Sequence, residues 1–211
     1  MIDRRARLFL LCGFSMLALA APGAGAATYN VSTNADSGAG SLRSAIAQAN
    51  AHAGADTITF DAGLGTISLT TGQIDIAETL TVNGPASGQT IDANETARIF
   101  GVTAAGQVLT LRNLELKGGA TDQGTVAGNC TSGSGQGAAV CALGAVLLNN
   151  STITQSYALN AGGGGMYVEN GDLIAIRSVV MVNSIFNANA AEGGGGIYVK
   201  NGAVALLESL V

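Results

Sequence analysis

Two copies of one pattern in the C-terminal half of the chain restrict the folds that it can adopt. The first copy, AGGGGMYVENGD, begins at Ala161, and the second, EGGGGIYVKNGA, begins at Glu192. At a single offset the copies pair Met166 with Ile197, Tyr167 with Tyr198 and Val168 with Val199. Because chance rarely aligns so many dissimilar residue types, we interpret the pattern as a structural repeat whose copies stack on each other.

A second set of matched positions lies upstream. Ile58, Ile67 and Ile76 are followed, at one common offset, by Val82, Ile91 and Phe100. Each lies in a short alternating run bounded by Gly, Asn or Asp, which is typical of short β-strands. Three strands per repeat, each placed on its equivalent in the next repeat, predict an all-β solenoid of the parallel β-helix type.

Other architectures explain these patterns less well. A helical solenoid needs helix-length apolar periodicities, and none occurs after Gly54. A sandwich or closed barrel is compatible with the strand spacing but does not account for internal repeats that keep their strand phase.

Residues 27–55 are predicted to cap the first coil. TYNVSTN (Thr28 to Asn34) alternates like a strand, and the segment from Ser41 to Ala53 has its apolar residues on one helical face. A solenoid needs such a cap because its terminal coils would otherwise expose unpaired backbone groups. The chain stops within a repeat, at LLESLV, without a comparable cap, so we expect it to be a fragment of a longer protein.

The first 26 residues are predicted to be a signal peptide. Arg4, Arg5 and Arg7 precede the apolar run LFLLCGFSMLALA, and small residues follow at AGA. This arrangement predicts cleavage between Ala26 and Ala27, and therefore export to a secreted or cell-surface location, with the outer membrane as one option. An uncleaved anchor is the alternative, but about 13 apolar residues are fewer than the ~20 that a spanning helix needs. We expect no membrane insertion after cleavage.

The remaining sequence divides into three segments. We predict the first β-helix coils at 56–117, a Gly/Ser-rich corner loop at 118–142 and Gly-rich repeats at 143–211. Cys130 and Cys141 both fall in the loop, and in an exported protein they predict a local disulfide, with free thiols as the alternative. A zinc site is not favoured, because two cysteines without a nearby third ligand cannot complete a tetrahedral shell.

Charge restricts the partners. The whole chain carries a formal net charge of −5, and removing residues 1–26 makes it more negative, since three arginines and one aspartate leave. A chain this acidic, without a basic cluster, is not expected to bind nucleic acid or anionic lipid. The expected partners are host or matrix carbohydrates or proteins.

Two segments resemble a known group of exported bacterial proteins. GSLRSAIAQANAHAGADTITFD, which begins at Gly40, resembles the CSLREA motif of secreted repeat proteins, with Gly40 in place of Cys and Ser44 in place of Glu. GGGI (Gly194 to Ile197) and FNAN (Phe186 to Asn189) are similar to the repeats of the polymorphic outer membrane protein family. GGGM, which ends at Met166, matches with Met in place of Ile.

The resemblance implies a right-handed parallel β-helix of the pectin-lyase-like shape. It also implies a surface adhesin or an autotransporter passenger. This class of fold hosts polysaccharide lyases and hydrolases as well, so an enzyme whose catalytic coils are missing is the second hypothesis. A purely structural surface stalk is the third.

No constellation of catalytic residues is apparent. The acidic residues share no motif and lie mostly at strand ends, where Asp usually bonds its own backbone: Asp56, Asp61, Asp75, Asp92, Asp122 and Asp172. His52 is interpreted as a solvated residue of the cap helix. We therefore predict no catalytic, cofactor-binding or metal-binding residues, and we favour a non-enzymatic role.

One surface feature suggests a ligand. Strand alternation places Met166 and Val168 on one face and Tyr167 on the other, and the next repeat does the same with Tyr198. If the aliphatic side chains point inward, the two tyrosines stack outward as a possible binding ladder, although cross-coil packing alone would explain them too. The glycine runs are predicted to form a corner before each of these strands, where a missing Cβ or a positive φ is needed.

Overall fold

The computed structural model describes residues 25–121, 130–131, 135–159, 162–186 and 194–211. Apart from its last residues, the predicted signal peptide therefore lies outside the described residues. A single short helix, α1 (Leu42–Asn50), follows the first strand, β1 (Thr28–Val31), and all later elements within the described ranges are strands. The chain is mostly β, as the sequence predicts.

The strands fall into three parallel sheets and one separate pair. The first sheet contains, after β1, the strands β2 (Asp56–Phe60), β5 (Leu80–Asn83), β8 (Val108–Arg112), β11 (Ala145–Asn149), β15 (Leu173–Ile176) and β19 (Val204–Leu207). The second contains β3 (Ile67–Ser68), β6 (Gln89–Asp92), β9 (Leu114–Lys117), β12 (Thr152–Thr154) and β16 (Val179–Met181). The third contains β4 (Ile74–Ile76), β7 (Phe100–Val102), β10 (Val140–Ala142), β14 (Met166–Glu169) and β18 (Ile197–Lys200). The separate pair is β13 (Tyr157–Leu159) and β17 (Ser184–Phe186).

The chain visits the first, second and third sheets in that order and then returns to the first. We call one such passage a circuit. Each strand pairs with the equivalent strands of the circuits before and after it, for example β8 with β5 and β11. The fold is therefore an all-β parallel arrangement in which the neighbours of a strand come from other circuits.

The register agrees with two of the three upstream predictions. Ile58 pairs with Val82 and Ile67 with Ile91, as predicted. The third is wrong, because Ile74, and not Ile76, pairs with Phe100. The connection from β6 to β7 is two residues longer than that from β3 to β4, and Ile76 is consequently paired with Val102.

The repeat that opens the sequence analysis is confirmed as a strand register. Strands β14 and β18 pair Met166 with Ile197, Tyr167 with Tyr198 and Val168 with Val199. The same spacing continues into the first sheet, where Leu173 pairs with Val204. Identical residue types in the two copies therefore lie side by side in adjacent circuits.

Apolar side chains from all three sheets form one core. Because strand residues alternate between faces, one row of each sheet points inward, and the inward residues of successive circuits lie in columns. One column of the first sheet runs through Leu109, Val146 and Leu173, all essentially inaccessible to solvent. Burying such aliphatic side chains contributes about 1.5–3 kcal/mol each relative to leaving them exposed.

Helix α1 covers the first circuit, as predicted for a cap. The Ser41 Oγ accepts a hydrogen bond from the Ser44 backbone N at 3.2 Å and so caps the helix. Leu42, Ala45, Ile46 and Ala49 form its buried face. The helix ends at Asn50 rather than near Ala53, because the Asn50 side chain turns to the third sheet, accepting from the Ala77 N at 2.9 Å and donating to the Asp75 O at 2.8 Å.

Corners between the first and second sheets use left-handed backbone. The corner residues of successive circuits all have φ near +50°: Asn113, Asn150, Arg177 and Glu208. The neighbouring serines form a ladder, in which the Ser151 N donates to the Ser178 Oγ at 3.2 Å and the Ser178 N donates to the Ser209 Oγ at 3.1 Å. Asparagine tolerates this backbone region better than most residues, and the hydroxyls satisfy amides that the strands leave unpaired.

The glycine runs form the predicted corner before β14 and β18. Gly163 has φ +75°, and a Cβ there would collide with the Met166 carbonyl oxygen. Gly194 is its equivalent in the next circuit, where a Cβ would collide with the Ile197 carbonyl oxygen. The runs also stack directly, since the Gly165 N donates to the Gly196 O at 2.9 Å. A Cβ at Gly165 would collide with the Gly196 carbonyl oxygen and so separate the two backbones.

The predicted corner loop at 118–142 contains a strand. Its last residues, Val140–Ala142, are β10 in the third sheet, paired with β7 on one side and β14 on the other. The prediction missed this strand because VCA is short and follows a long run of small residues. The domain boundary at 142 therefore divides a strand from the turn that follows it.

Candidate functional site

The outer face of the third sheet carries a disulfide and two stacked tyrosines. In this outward column Gly101, Cys141, Tyr167 and Tyr198 are successive register partners. Cys141 is bonded to Cys130, with 5.1 Å between their Cα atoms. The rings of Tyr167 and Tyr198 are stacked, with centroids 5.5 Å apart and planes 9° from parallel. The stack has the geometry that the strand alternation predicts.

The accessibility of the stack differs from the prediction. Tyr167 is fully buried, whereas Tyr198 is partly exposed. The reason is that the disulfide packs on the outer face beside Tyr167, forming a second small apolar cluster separate from the main core. Strand alternation identifies the face but not a segment that folds back over it, so the expectation of an outward, solvent-accessible Tyr167 is wrong.

A buried arginine holds the segment that carries the disulfide. Arg98 lies just before β7 and is only 3% exposed. Its guanidinium donates to the Gln136 O at 2.7 Å, the Gly137 O at 2.9 Å and the Thr131 O at 3.1 Å. It also donates to the Gln73 Oε1. One side chain thus fixes the backbone between Cys130 and Cys141 at several points, a role that no sequence pattern indicated.

Most of the acidic residues that the sequence singles out have structural partners. Asp61 accepts from the Asn30 Nδ2 at 2.9 Å, Asp92 lies 3.2 Å from the Lys117 Nζ, and Asp172 accepts from the Ala203 N at 2.9 Å. Asp75 accepts from Gln73, and Asp122 lies outside the described residues. Asp92 also accepts from the Asn94 backbone N at 2.8 Å, the local bond expected of an acidic residue at a strand end, whereas the contacts of Asp61 and Asp172 reach a neighbouring strand or turn.

Asp56 and His52 form a contact that was not predicted. His52 lies beyond the end of α1, and its Nδ1 is 3.2 Å from both carboxylate oxygens of Asp56. The Asp56 side chain is completely buried, and the His52 side chain is 38% exposed. His52 thus lies beyond the helix in which it was expected, because α1 ends at Asn50, and its partly exposed ring contacts the start of β2.

A charged clamp joins the segment before α1 to the third sheet. Arg43 donates to the Asp36 Oδ1 at 2.9 Å, to the Gly72 O at 2.7 Å and to the Gln73 O at 2.9 Å. The other Asp36 oxygen accepts from the backbone amides of Thr70 and Thr71. Burial alone would raise the pKa of Asp36, but the hydrogen bonds from Thr71, Arg43 and Thr70 outweigh it and hold that pKa well below the ordinary carboxyl range.

An open polar cleft lies at the corner between the first and second sheets. It has a volume of about 370 Å³ and is lined by Asn83, Arg112, Asn113, Asn149, Asn150 and Arg177. The Asn150 Nδ2 donates to the Asn113 Oδ1 at 2.8 Å, so these amides form a ladder along the cleft floor. Arg112 and Arg177 are exposed at its rim. The cleft offers amide donors and acceptors and two positive charges on an otherwise acidic chain.

The described residues contain neither a metal-binding cluster nor a membrane-spanning helix. Among residues 25–121, 130–131, 135–159, 162–186 and 194–211, there is no group of three or more His, Cys, Asp or Glu side chains that could hold a metal ion. Within these same ranges, no helix combines the length and the apolar character needed to cross a bilayer.

The fold is that of an all-β protein of parallel strands whose neighbours are in register. Residues 59–209 match the family model described as domain of unknown function (DUF4957). This match covers well over half of the chain, so the protein belongs to the DUF4957 family. No curated protein matches the chain.

Proposed function

We propose that this chain is an exported right-handed parallel β-helix of the CSLREA and polymorphic outer membrane protein type, which acts without catalysis as a surface adhesin or passenger. The register-matched circuits of three parallel sheets support the β-helix, because each strand is paired only with its equivalents. The cap also supports it, since the motif residues Arg43 and Asn50 are the side chains that tie α1 to the third sheet. Removal of residues 1–26 on export is part of the proposal.

The binding surface in this proposal is the polar cleft rather than the tyrosine stack. Tyr167 is buried and cannot meet a ligand without movement of the disulfide segment. The cleft, in contrast, is open and presents asparagine amides beside two exposed arginines. Amides suit the hydroxyls of carbohydrates and guanidinium groups suit carboxylates. An acidic carbohydrate of the host or matrix is the ligand class that this combination fits.

The observation that carries the proposal is the position of the cleft along the stack. Its lining residues come from successive circuits, with Asn83, Arg112 and Asn149 as register partners in β5, β8 and β11. This polar column spans the three circuits of β5, β8 and β11 along the direction in which the strands stack, and Ile176 follows it in β15. An extended polymer with regularly spaced groups is the natural partner of such a surface.

Binding to acidic polysaccharides tests the function. The exported protein is titrated into polygalacturonate, alginate and hyaluronan by calorimetry, and uronic-acid release is measured in the same samples. We expect saturable binding without release. In the double variant Arg112→Gln and Arg177→Gln, binding should be about tenfold weaker or lost. The matched control, Lys117→Gln with Lys200→Gln, removes the same charge on other strands and should bind normally.

Two results would overturn this function. Steady release of unsaturated or reducing uronic acid would make the chain an enzyme, and equal binding by the two double variants would remove the cleft from the binding surface. Absence of binding to every polysaccharide would instead favour the purely structural role.

A further inference from the structure

The first sheet holds a buried carboxylate whose partners are a backbone amide and a histidine ring. Asp56 begins β2, and its side chain is completely buried. Its Oδ1 accepts a hydrogen bond from the backbone N of Ala27 at 2.7 Å, and His52 contacts both oxygens. Withdrawing a carboxylate from water is costly unless a positive charge or several hydrogen bonds compensate it. An amide from Ala27 supplies a donor but no full charge.

The partner atom lies at a distinctive place in the chain. Ala27 directly precedes β1, and its carbonyl oxygen accepts from the Thr57 N at 2.8 Å. The register of β1 on β2, with Thr28 paired to Thr57, fixes where the Ala27 nitrogen lies. Gly25 and Ala26 are exposed. The nitrogen that meets Asp56 is therefore the same nitrogen that cleavage between Ala26 and Ala27 would set free.

We propose that Asp56 is the receiving site for the α-ammonium group of Ala27, which is created when the signal peptide is removed. This inference rests on the proposed export and processing. In the hydrolysis a water molecule adds to the Ala26 carbonyl carbon, the C–N bond breaks, and Ala26 leaves as a carboxylate. The released nitrogen takes up protons and becomes an ammonium group. An export peptidase is the catalyst, and no oxidant or reductant is needed.

In this proposal, processing changes the charge of the donor that meets Asp56. Before cleavage a neutral amide donates to the carboxylate, and afterwards a cation donates, which makes the hydrogen bond roughly twice as strong. A chain that begins at any other residue cannot place its ammonium group there, because the pairing of β1 with β2 fixes the position of residue 27. Cleavage at this one bond thus completes the edge of the first sheet beside the cap.

A double-mutant cycle on the exported full chain tests the pair. The chain that begins at Ala27 is compared with the same chain acetylated selectively at its α-amine, which restores a neutral amide N–H at that atom. Both forms are prepared with Asp56 and with Asp56→Asn, and the unfolding equilibrium constant is measured by urea titration. We expect acetylation to raise that constant about tenfold with Asp56 and to change it little with Asn.

Two controls keep the test decisive. In Asp61→Asn, which alters a carboxylate of the neighbouring turn, the effect of acetylation should persist in full. A chain that retains Gly25 and Ala26 should unfold as readily as the acetylated one, and this comparison stands even if Asp56→Asn does not fold. The pairing is overturned if acetylation has the same effect with Asp56 and with Asn, or if the chain with the two extra residues is as stable as the free-amine chain.

Mass spectrometry and N-terminal sequencing of the exported protein separate the two proposals. If residues 1–26 are retained, the proposed processing fails and this inference fails with it. If the mature chain begins at Ala27 and acetylation has no effect, only the pairing with Asp56 is wrong.

Discussion

Apolar side chains are buried at one end of the strand stack and exposed at the other. At the N-terminal end, α1 lies over the first circuit, and Leu42 and Ile46 are fully buried between them. At the opposite end, the apolar residues of β19 are open to solvent: Val204 is 48% exposed, whereas its column partner Leu173 is 0% exposed. The phase of a strand therefore decides which side chains point inward, but only a neighbouring layer buries them.

Removing an apolar side chain should therefore cost more stability beneath α1 than in β19. This is the largest effect that we expect. Ile46→Ala empties a fully buried site and should lower the free energy of unfolding by about 2–5 kcal/mol. Leu206→Ala, in β19, removes a side chain that is already 45% exposed and should cost less than about 1 kcal/mol. Urea titrations of both variants measure the costs. Equal costs would contradict the difference between the residues that α1 buries and the exposed residues of β19.

On the outer face of the third sheet the disulfide covers Tyr167, whereas Tyr198 in the next circuit is partly exposed. Replacing Cys130 and Cys141 by Ala removes a short cross-link, with a sequence separation of 11, and should destabilise the protein by about 2–3 kcal/mol. It should also open Tyr167 to ring nitration, which peptide mapping detects. Equal nitration of Tyr167 and Tyr198 in the protein with its disulfide intact would contradict the burial of Tyr167.

The clamp between Asp36 and Arg43 should make the stability of the protein depend on pH in the acid range. Because the folded-state pKa of Asp36 is lowered, its stabilisation is present above the unfolded value of about 4 and is lost as pH falls below it. Asp36→Asn should cost about 1.5–3 kcal/mol at pH 7, and the gap to the native protein should narrow as pH falls from about 4. Thermal unfolding of both proteins between pH 7 and pH 2.5 measures this gap. A gap that is constant with pH would show that the carboxylate charge has no part in it.

The smallest effect concerns the corner that follows β16. Val182 follows β16 with φ +55° and is 72% exposed, whereas Gly118 occupies the equivalent corner after β9. A β-branched residue in this region is strained, so Val182→Gly should stabilise the protein by about 0.5–1 kcal/mol. Gln155→Gly, at the corner between them, should gain less because its side chain is unbranched. A lower unfolding midpoint for Val182→Gly would mean that the native Val182 side chain makes stabilising contacts.

Much of the fold was predictable because register leaves a periodic trace in the sequence. The pairings of Ile58 with Val82 and of Met166 with Ile197 follow directly from matched offsets. The pairing of Ile76 did not, since Ile74 has the same phase and both are apolar, so a two-residue insertion leaves the pattern unchanged. Strand phase is thus readable from one sequence, whereas loop length between strands is not.

The site was less predictable, for a different physical reason. The burial of Tyr167 depends on a segment folding over the sheet, and the contact of Ala27 with Asp56 joins residues on separate strands without any shared motif. In the sequence Arg98 resembles any other cation, although its guanidinium donates to Gln73 and to backbone carbonyls between Cys130 and Gly137. Contacts made by corners and returning segments have no period, so hydrophobic patterning cannot indicate them.

The number of residues in a circuit does not determine how far that circuit extends the stack. Equivalent positions in successive circuits are 24, 29, 37, 27 and 31 residues apart. Yet each circuit adds one strand spacing of about 4.8 Å along the stacking direction. Insertions at corners can therefore widen the cross-section without shifting any later strand along the axis. Surface groups in distant circuits keep their axial distances while the intervening sequence is free to vary.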